Sequence, residues 1–247
     1  MQTYYMTDTG KVREHNEDSV IILNNEHREY ILAVADGMGG HKAGEVASAI
    51  AINHLTEEFY RIETLGDKEN AIDWLRNIVT EINNKIFDYT KENPDSKGMG
   101  TTLVIAIKTP SYILYGNIGD SSGFVMKKSK LTKVTKDHTM VNFLVSTGEL
   151  TEEEAKFHPR KNVLMRALGA NNPIDIDIFD VELNVDSLFL CSDGLTNMLS
   201  VEQIEKVLND KELTIEECIE KLIKKANARG GNDNISVAYL KKESGDN

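Results

Sequence analysis

Asp36 closes the apolar run ILAVA at 31–35 and is followed at once by Gly37, Met38, Gly39 and Gly40. A lone carboxylate at the edge of a core is costly unless a cation, a set of N–H donors or a metal meets it. The same arrangement recurs: the apolar run at 112–118 leads to Asp120, that at 187–191 leads to Asp193, and Asp233 stands just before the strand-like stretch 235–240. Glu17 and Asp18 likewise precede 19–23. Five strand ends that each deliver a carboxylate suggest one meeting place. Gathered acids repel one another and keep their protons unless a cation sits among them. An all-oxygen ligand set selects a hard ion, Mg²⁺ or Mn²⁺. Zinc would want His or Cys, and neither Cys-x-x-Cys nor His-x-x-x-His spacing occurs. Calcium fits less well, because no EF-hand loop is present and the acids come from distant strands. Four or five acids carry enough charge for two ions about 3.5–4 Å apart, an arrangement that activates a water and clamps a phosphoryl oxygen. That chemistry is hydrolytic.

The elements that must position these acids follow from periodicity. Residues 2–7 form a first strand; 19–23 and 30–35 form a hairpin, which would bring Glu17 and Asp36 to the same end of neighbouring strands. Apolar positions at Val46, Ala47, Ile50, Ala51, Leu55 and Phe59, and again at Ile72, Leu75, Val79, Ile82 and Ile86, recur at helical spacing, the second helix ending at Asn93-Pro94-Asp95. An antiparallel meander is expected over 101–108, 112–118, 123–127 and 131–135. The stretch 137–169 breaks the strand rhythm as an excursion beside the sheet. Strands resume at 174–183 and 188–191, then helices near 201–208 and 215–228, and a last strand at 235–240. Strands and helices in blocks point to an α+β fold with antiparallel sheets.

The 247 residues, 40% hydrophobic and without a Pro/Gly/Ser linker, suit a single domain over 1–242, with a polar tail at 243–247. Forty acidic residues against 28 basic ones give a net charge of -12, which does not favour a nucleic-acid or anionic-membrane surface. Two cysteines, Cys191 and Cys218, are too few for a disulfide framework, and no signal peptide or long apolar run is evident, so a cytoplasmic protein without membrane insertion is expected.

Seven motifs then occur in order: GKVREHNED at 10–18, ADGMGG at 35–40, GE at 44–45, GTT at 100–102, GDS at 119–121, CSDGL at 191–195 and GNDN at 231–234. Together they resemble the PPM family, the metal-dependent type 2C serine/threonine protein phosphatases, in its compact bacterial form. The resemblance spans nearly the whole chain and implies an α-β-β-α sandwich of two central antiparallel sheets flanked by helices. It implies two core Mn²⁺ or Mg²⁺ ions: Asp36 bridging both, Asp193 and Asp233 completing one, the Gly37 carbonyl serving the other, and Glu17 and Asp18 acting through water. It implies that Asp120, with Asp193, holds a weaker third ion, that the 137–169 excursion is a flap whose Asn162 touches that ion, and that Arg13 binds the substrate phosphate through its planar fork. Catalysis would be direct in-line attack of a metal-bridging hydroxide on a phosphoserine or phosphothreonine ester, with no covalent phospho-enzyme. One departure stands out: animal-type members carry His as proposed general acid where this chain has Met38, which leaves His41 or a metal-bound water to protonate the leaving group. The implied partners are phosphoproteins, including a Ser/Thr kinase whose action the enzyme opposes, and the implied state is a monomer.

Other chemistries are less well supported. GDSSG at 119–123 formally matches Gly-x-Ser-x-Gly, but a strand pattern follows where a nucleophile elbow needs a helix. A cysteine phosphatase wants Arg six residues after its Cys, and that position is Asn197. The glycines at 37–40 lack the Lys-Ser/Thr of a nucleotide-binding loop. His15, His27, His54, His138 and His158 read as surface or packing residues, and Arg13 has an alternative role as an ion pair with Glu17. A non-catalytic binding module on the same fold is the different-class alternative, opposed by the presence of every metal acid.

Overall fold

The computed structural model describes residues 1–40 and 43–243. Strands β1 (Gln2–Asp8), β2 (Asp18–Asn24) and β3 (Tyr30–Met38) lead into helices α1 (Ala43–Arg61) and α2 (Lys68–Glu92). After a 3₁₀ turn at Pro94–Ser96 come β4 (Gly100–Thr101), β5 (Leu103–Lys108), β6 (Ile113–Ile118), β7 (Ser122–Lys127) and β8 (Lys130–Lys133). The expected excursion holds α3 (Met140–Ser146) and α4 (Glu152–Phe157). The chain continues through β9 (Asp177–Val181), β10 (Ser187–Cys191), α5 (Asp193–Thr196), α6 (Val201–Leu208), α7 (Ile215–Ala228) and β11 (Ile235–Lys241).

Two antiparallel sheets result. One has the order β2-β3-β5-β6-β9 with β4 extending β3; the other has the order β1-β11-β10-β7-β8. Period-two alternation explains why both faces of their central strands are apolar. In β3, Ile31, Ala33 and Ala35 pack toward α1 and α2, while Leu32 and Val34 face the second sheet. In β10, Leu188 and Leu190 face the first sheet, while Phe189 and Cys191 pack toward α6 and α7. The layers are therefore helix, sheet, sheet, helix, as expected for an α+β sandwich. The outer helices turn their apolar stripes inward: Leu75, Val79, Ile82 and Ile86 of α2 are buried, as are Ile219, Leu222 and Ile223 of α7. Asp67 caps α2 by accepting from Asn70 N–H, and Thr214 with Glu217 forms a capping box at α7.

The expected four-strand meander is corrected. β5 and β6 lie in the first sheet, and β7 and β8 lie in the second. The place beside β6 is taken by β9, with Asn117 opposite Asp177. Gly119, at φ +104°, turns the chain out of one sheet and into the other. That crossing carries Asp120 to the end of the sandwich. The expected strand at 174–183 is confined to Asp177–Val181. Among the described residues no helix is long and apolar enough to cross a membrane.

Candidate active site

Register brings the first two acids together. Asp18 and Asp36 are directly opposed across β2 and β3. Counting by twos from Val20 and Val34, both carboxylates project from the inter-sheet face, toward the second sheet. Like charges set directly opposite one another destabilise a sheet, so this pairing needs either a retained proton or a compensating cation. The second sheet closes the site from the other side. Ser192, just past β10, donates its hydroxyl to Asp18 Oδ2 at 2.8 Å, and its Oγ accepts from Ser236 N–H at 2.9 Å. Asp193 follows it and accepts from Asn197 Nδ2 at 3.0 Å. Asp233, ahead of β11, accepts from Arg13 Nη2 at 2.9 Å. Arg13 is thus paired with Asp233, rather than with Glu17 as the alternative reading had it.

The GTT motif positions Asp36 through its backbone. Thr102 Oγ1 accepts the Asp36 N–H at 3.0 Å, and the Asp36 carbonyl accepts from Thr102 N–H at 2.9 Å and Thr101 Oγ1 at 3.0 Å. Gly37 donates its N–H to the Glu17 carbonyl at 3.1 Å. A Cβ on Gly37 would lie 2.1 Å from the Gly44 carbonyl oxygen, so only glycine lets these three backbone segments meet. Asp120 and Asp193 share a groove of about 940 Å³ beside the 137–169 excursion, and Asn162 lines it with them. His41 lies outside the described residues.

The electrostatics follow from this crowding. Burial, then the charges of Asp18, Asp193, Asp120 and Asp233, push the Asp36 carboxyl well above the usual carboxylate range. Burial raises Asp18 to about 7 against the opposing hydrogen bonds of Ser192 and Ser236. Burial and then Asp193 raise Asp120 to about 7. Asp193 is raised by burial and then by Asp233, and burial outweighs Arg13 in raising Glu17. Asp18 Oδ1 is buried with no hydrogen-bond partner. An all-oxygen donor set, one orphaned buried oxygen and mutual repulsion fit a hard divalent cation and suit neither zinc nor a soft metal.

Asn234 had no role in the sequence reading beyond completing the GNDN motif, yet it holds the site's entry loop. Its Oδ1 accepts Glu17 N–H at 2.8 Å, and its Nδ2 donates to the carbonyls of Thr9 at 2.8 Å and His15 at 2.9 Å. Both N–H donors of that amide and one acceptor position of its oxygen are taken up by the loop that carries Arg13. The available signal was a polar residue directly ahead of a buried strand. Elsewhere, on α1 and α2, His54, Glu58 and Glu81 place donor atoms within 4.8 Å of one another. None of them is among the sequence-predicted ligands. His54 is buried and bonded to Glu81 at 2.8 Å, in keeping with a packing role. Cys191 and Cys218 are buried free thiols.

This site and fold have close counterparts. The serine/threonine phosphatase stp of Listeria monocytogenes is 41% identical over 244 residues, covering 98% of this chain and 96% of the relative. Protein phosphatase PhpP of Streptococcus pneumoniae is 35% identical over 242 residues, covering 97% of each. Among solved structures, the S. agalactiae serine/threonine phosphatase superposes with a TM-score of 0.92 at 35% identity, covering 98% of this chain and 99% of that one. Stp1 from Staphylococcus aureus superposes with a TM-score of 0.91 at 38% identity, covering 98% and 95%. A family model described as protein phosphatase 2C matches residues 10–235, from the loop of Arg13 to the first residue of β11, and the chain belongs to that family.

Proposed function

We propose that the protein is a metal-dependent serine/threonine protein phosphatase that hydrolyses phosphoserine and phosphothreonine esters. The observation that carries this reading is the convergence of Asp18, Asp36, Asp120, Asp193 and Asp233 at one end of the sandwich, four of them with their protonation pushed upward. Asp36, Asp193, Asp233 and the Gly37 carbonyl would hold two Mn²⁺ or Mg²⁺ ions, with Glu17 and Asp18 acting through water. Asp120, Asp193 and Asn162 would hold a weaker third. When bound, such ions supply Lewis acidity, readying water as a nucleophile near neutral pH and offsetting charge on the phosphoryl oxygens.

The chain's own groups do the rest. Arg13 is half-exposed at the mouth of the site; Asp233 engages its Nη2, which orients the guanidinium and leaves its other N–H donors for the phosphate. Asn234 holds the loop that aims it. Asn197 steadies Asp193, and Thr102 steadies Asp36. Met38 offers no proton to the leaving group. Substrates are phosphoproteins, including a Ser/Thr kinase that the enzyme opposes, and it acts as a cytoplasmic monomer. Hydrolysis of phosphoserine and phosphothreonine peptides, followed by phosphate release with Mn²⁺ and after chelation, tests the reading. Turnover is expected only with the ion, and equal turnover after chelation would overturn it.

A further inference from the structure

His138 has no place in the chemistry above, yet it is tied to the turn that carries Asp120. Its side chain is 10% exposed. Its backbone N–H donates to the Gly119 carbonyl at 2.9 Å, and its Nδ1 accepts the Gly119 N–H at 3.1 Å. One residue thus takes up both polar backbone groups of the glycine immediately before Asp120. Because Nδ1 accepts from a backbone amide, the ring proton sits on Nε2, which donates to Asp177 Oδ2 at 3.1 Å. Asp177 Oδ1 in turn accepts from Arg166 Nη1 at 2.6 Å. The far side of the turn is tied as well, since Ser121 Oγ and Thr102 Oγ1 lie 2.8 Å apart.

These contacts join four places. His138 and Arg166 stand near the two ends of the 137–169 excursion, Asp177 opens β9, and Gly119 is the crossing between the sheets. Only glycine fits at this crossing, because its φ is +104° and a Cβ there would meet Thr102 Cγ2 at 2.5 Å. We propose that His138, oriented by Asp177 and Arg166, is a positioning residue that sets the Asp120 carboxylate, and that it thereby links the roots of the excursion to the most weakly held ion. The proposal rests on the reading of Asp120 as a ligand. Residues behind a metal ligand typically change metal affinity about 10–100-fold when replaced.

Two near-isosteric variants separate the ring's two contacts. His138→Asn keeps an acceptor where Nδ1 stood and gives up Asp177; His138→Gln keeps a donor where Nε2 stood and leaves Gly119 N–H unpaired. Mn²⁺ titration calorimetry on the full chain should show the weakest binding event reduced about tenfold or more in His138→Gln, reduced by a smaller factor in His138→Asn, which keeps the Gly119 contact but loses its Asp177 brace, and the tighter uptake unchanged in both. Hydrogen exchange of the Gly119 amide in the metal-free chain should accelerate in the Gln variant alone. Wild-type behaviour of His138→Gln in both measurements, or an Asn variant as impaired as the Gln variant, overturns the proposal and leaves the metal reading standing. Absence of Mn²⁺ uptake by the wild type overturns both.

Discussion

Asp120→Asn should make the metal-free protein more stable at alkaline pH while weakening its response to Mn²⁺. In the folded chain Asp120 keeps its proton up to about 7, against an ordinary value of 3.8. Between those limits the folded state binds more protons than the unfolded state, so stability falls as pH rises from about 4 to about 7 and levels off above it. Roughly three pH units at about 1.4 kcal/mol each give an upper bound near 4 kcal/mol, and partial solvation of the carboxylate reduces this to about 2–4 kcal/mol. Asparagine cannot ionise, so the two proteins should match near pH 4 and separate above it. At pH 8 the variant should melt about 4–16 °C higher, from about 2–4 °C per kcal/mol for a chain of this size. Scanning calorimetry after chelation, from pH 4 to pH 8.5, measures the separation. Saturating Mn²⁺ should invert it, because only the wild type gains the ligand. Parallel melting curves across that range, or wild-type stability that rises between pH 5 and pH 7, would refute the reasoning.

Asp36→Asn should lower kcat on a phosphopeptide about a thousandfold, since several kcal/mol of ion binding depend on that carboxylate; steady-state kinetics at saturating Mn²⁺ read it. Arg13→Ala should act mainly on KM, raising it about 10–100-fold for the loss of about 1.5–3 kcal/mol of charged hydrogen bonding, and an unchanged KM would remove Arg13 from phosphate binding. Asn234→Ala should cost about 3 kcal/mol in urea unfolding, because it leaves Glu17 N–H and the carbonyls of Thr9 and His15 unpaired, and it should raise KM as the Arg13 loop loosens. Gly37→Ala should abolish the tighter Mn²⁺ uptake in calorimetry, since the added methyl would displace Gly44 or Glu17 backbone.

Much of this was legible along the chain. Apolar runs that stop at an acid marked Asp36, Asp120 and Asp193, and helical spacing marked the stripes of α1 and α2, because both patterns depend only on neighbouring residues. The split of the presumed meander was not legible. A turn at Gly119 and Asp120 is compatible with β7 returning along β6 or leaving for the other sheet, and the competition of β9 for the same edge settles which occurs. The partner of Arg13 was equally hidden, since Glu17 is four residues away and Asp233 is 220 residues away.

The sequence by itself determined which residues end strands with a carboxylate, the chemistry that such a set could perform and the α+β class that presents it. Only the tertiary structure decided which carboxylates oppose one another and what holds them there. Asp18 faces Asp36 through strand register, and Ser192 reaches Asp18 across 174 residues through sheet-on-sheet packing. Such contacts are made between segments whose local sequences carry no information about each other, so they exist only once the two sheets close on a common core.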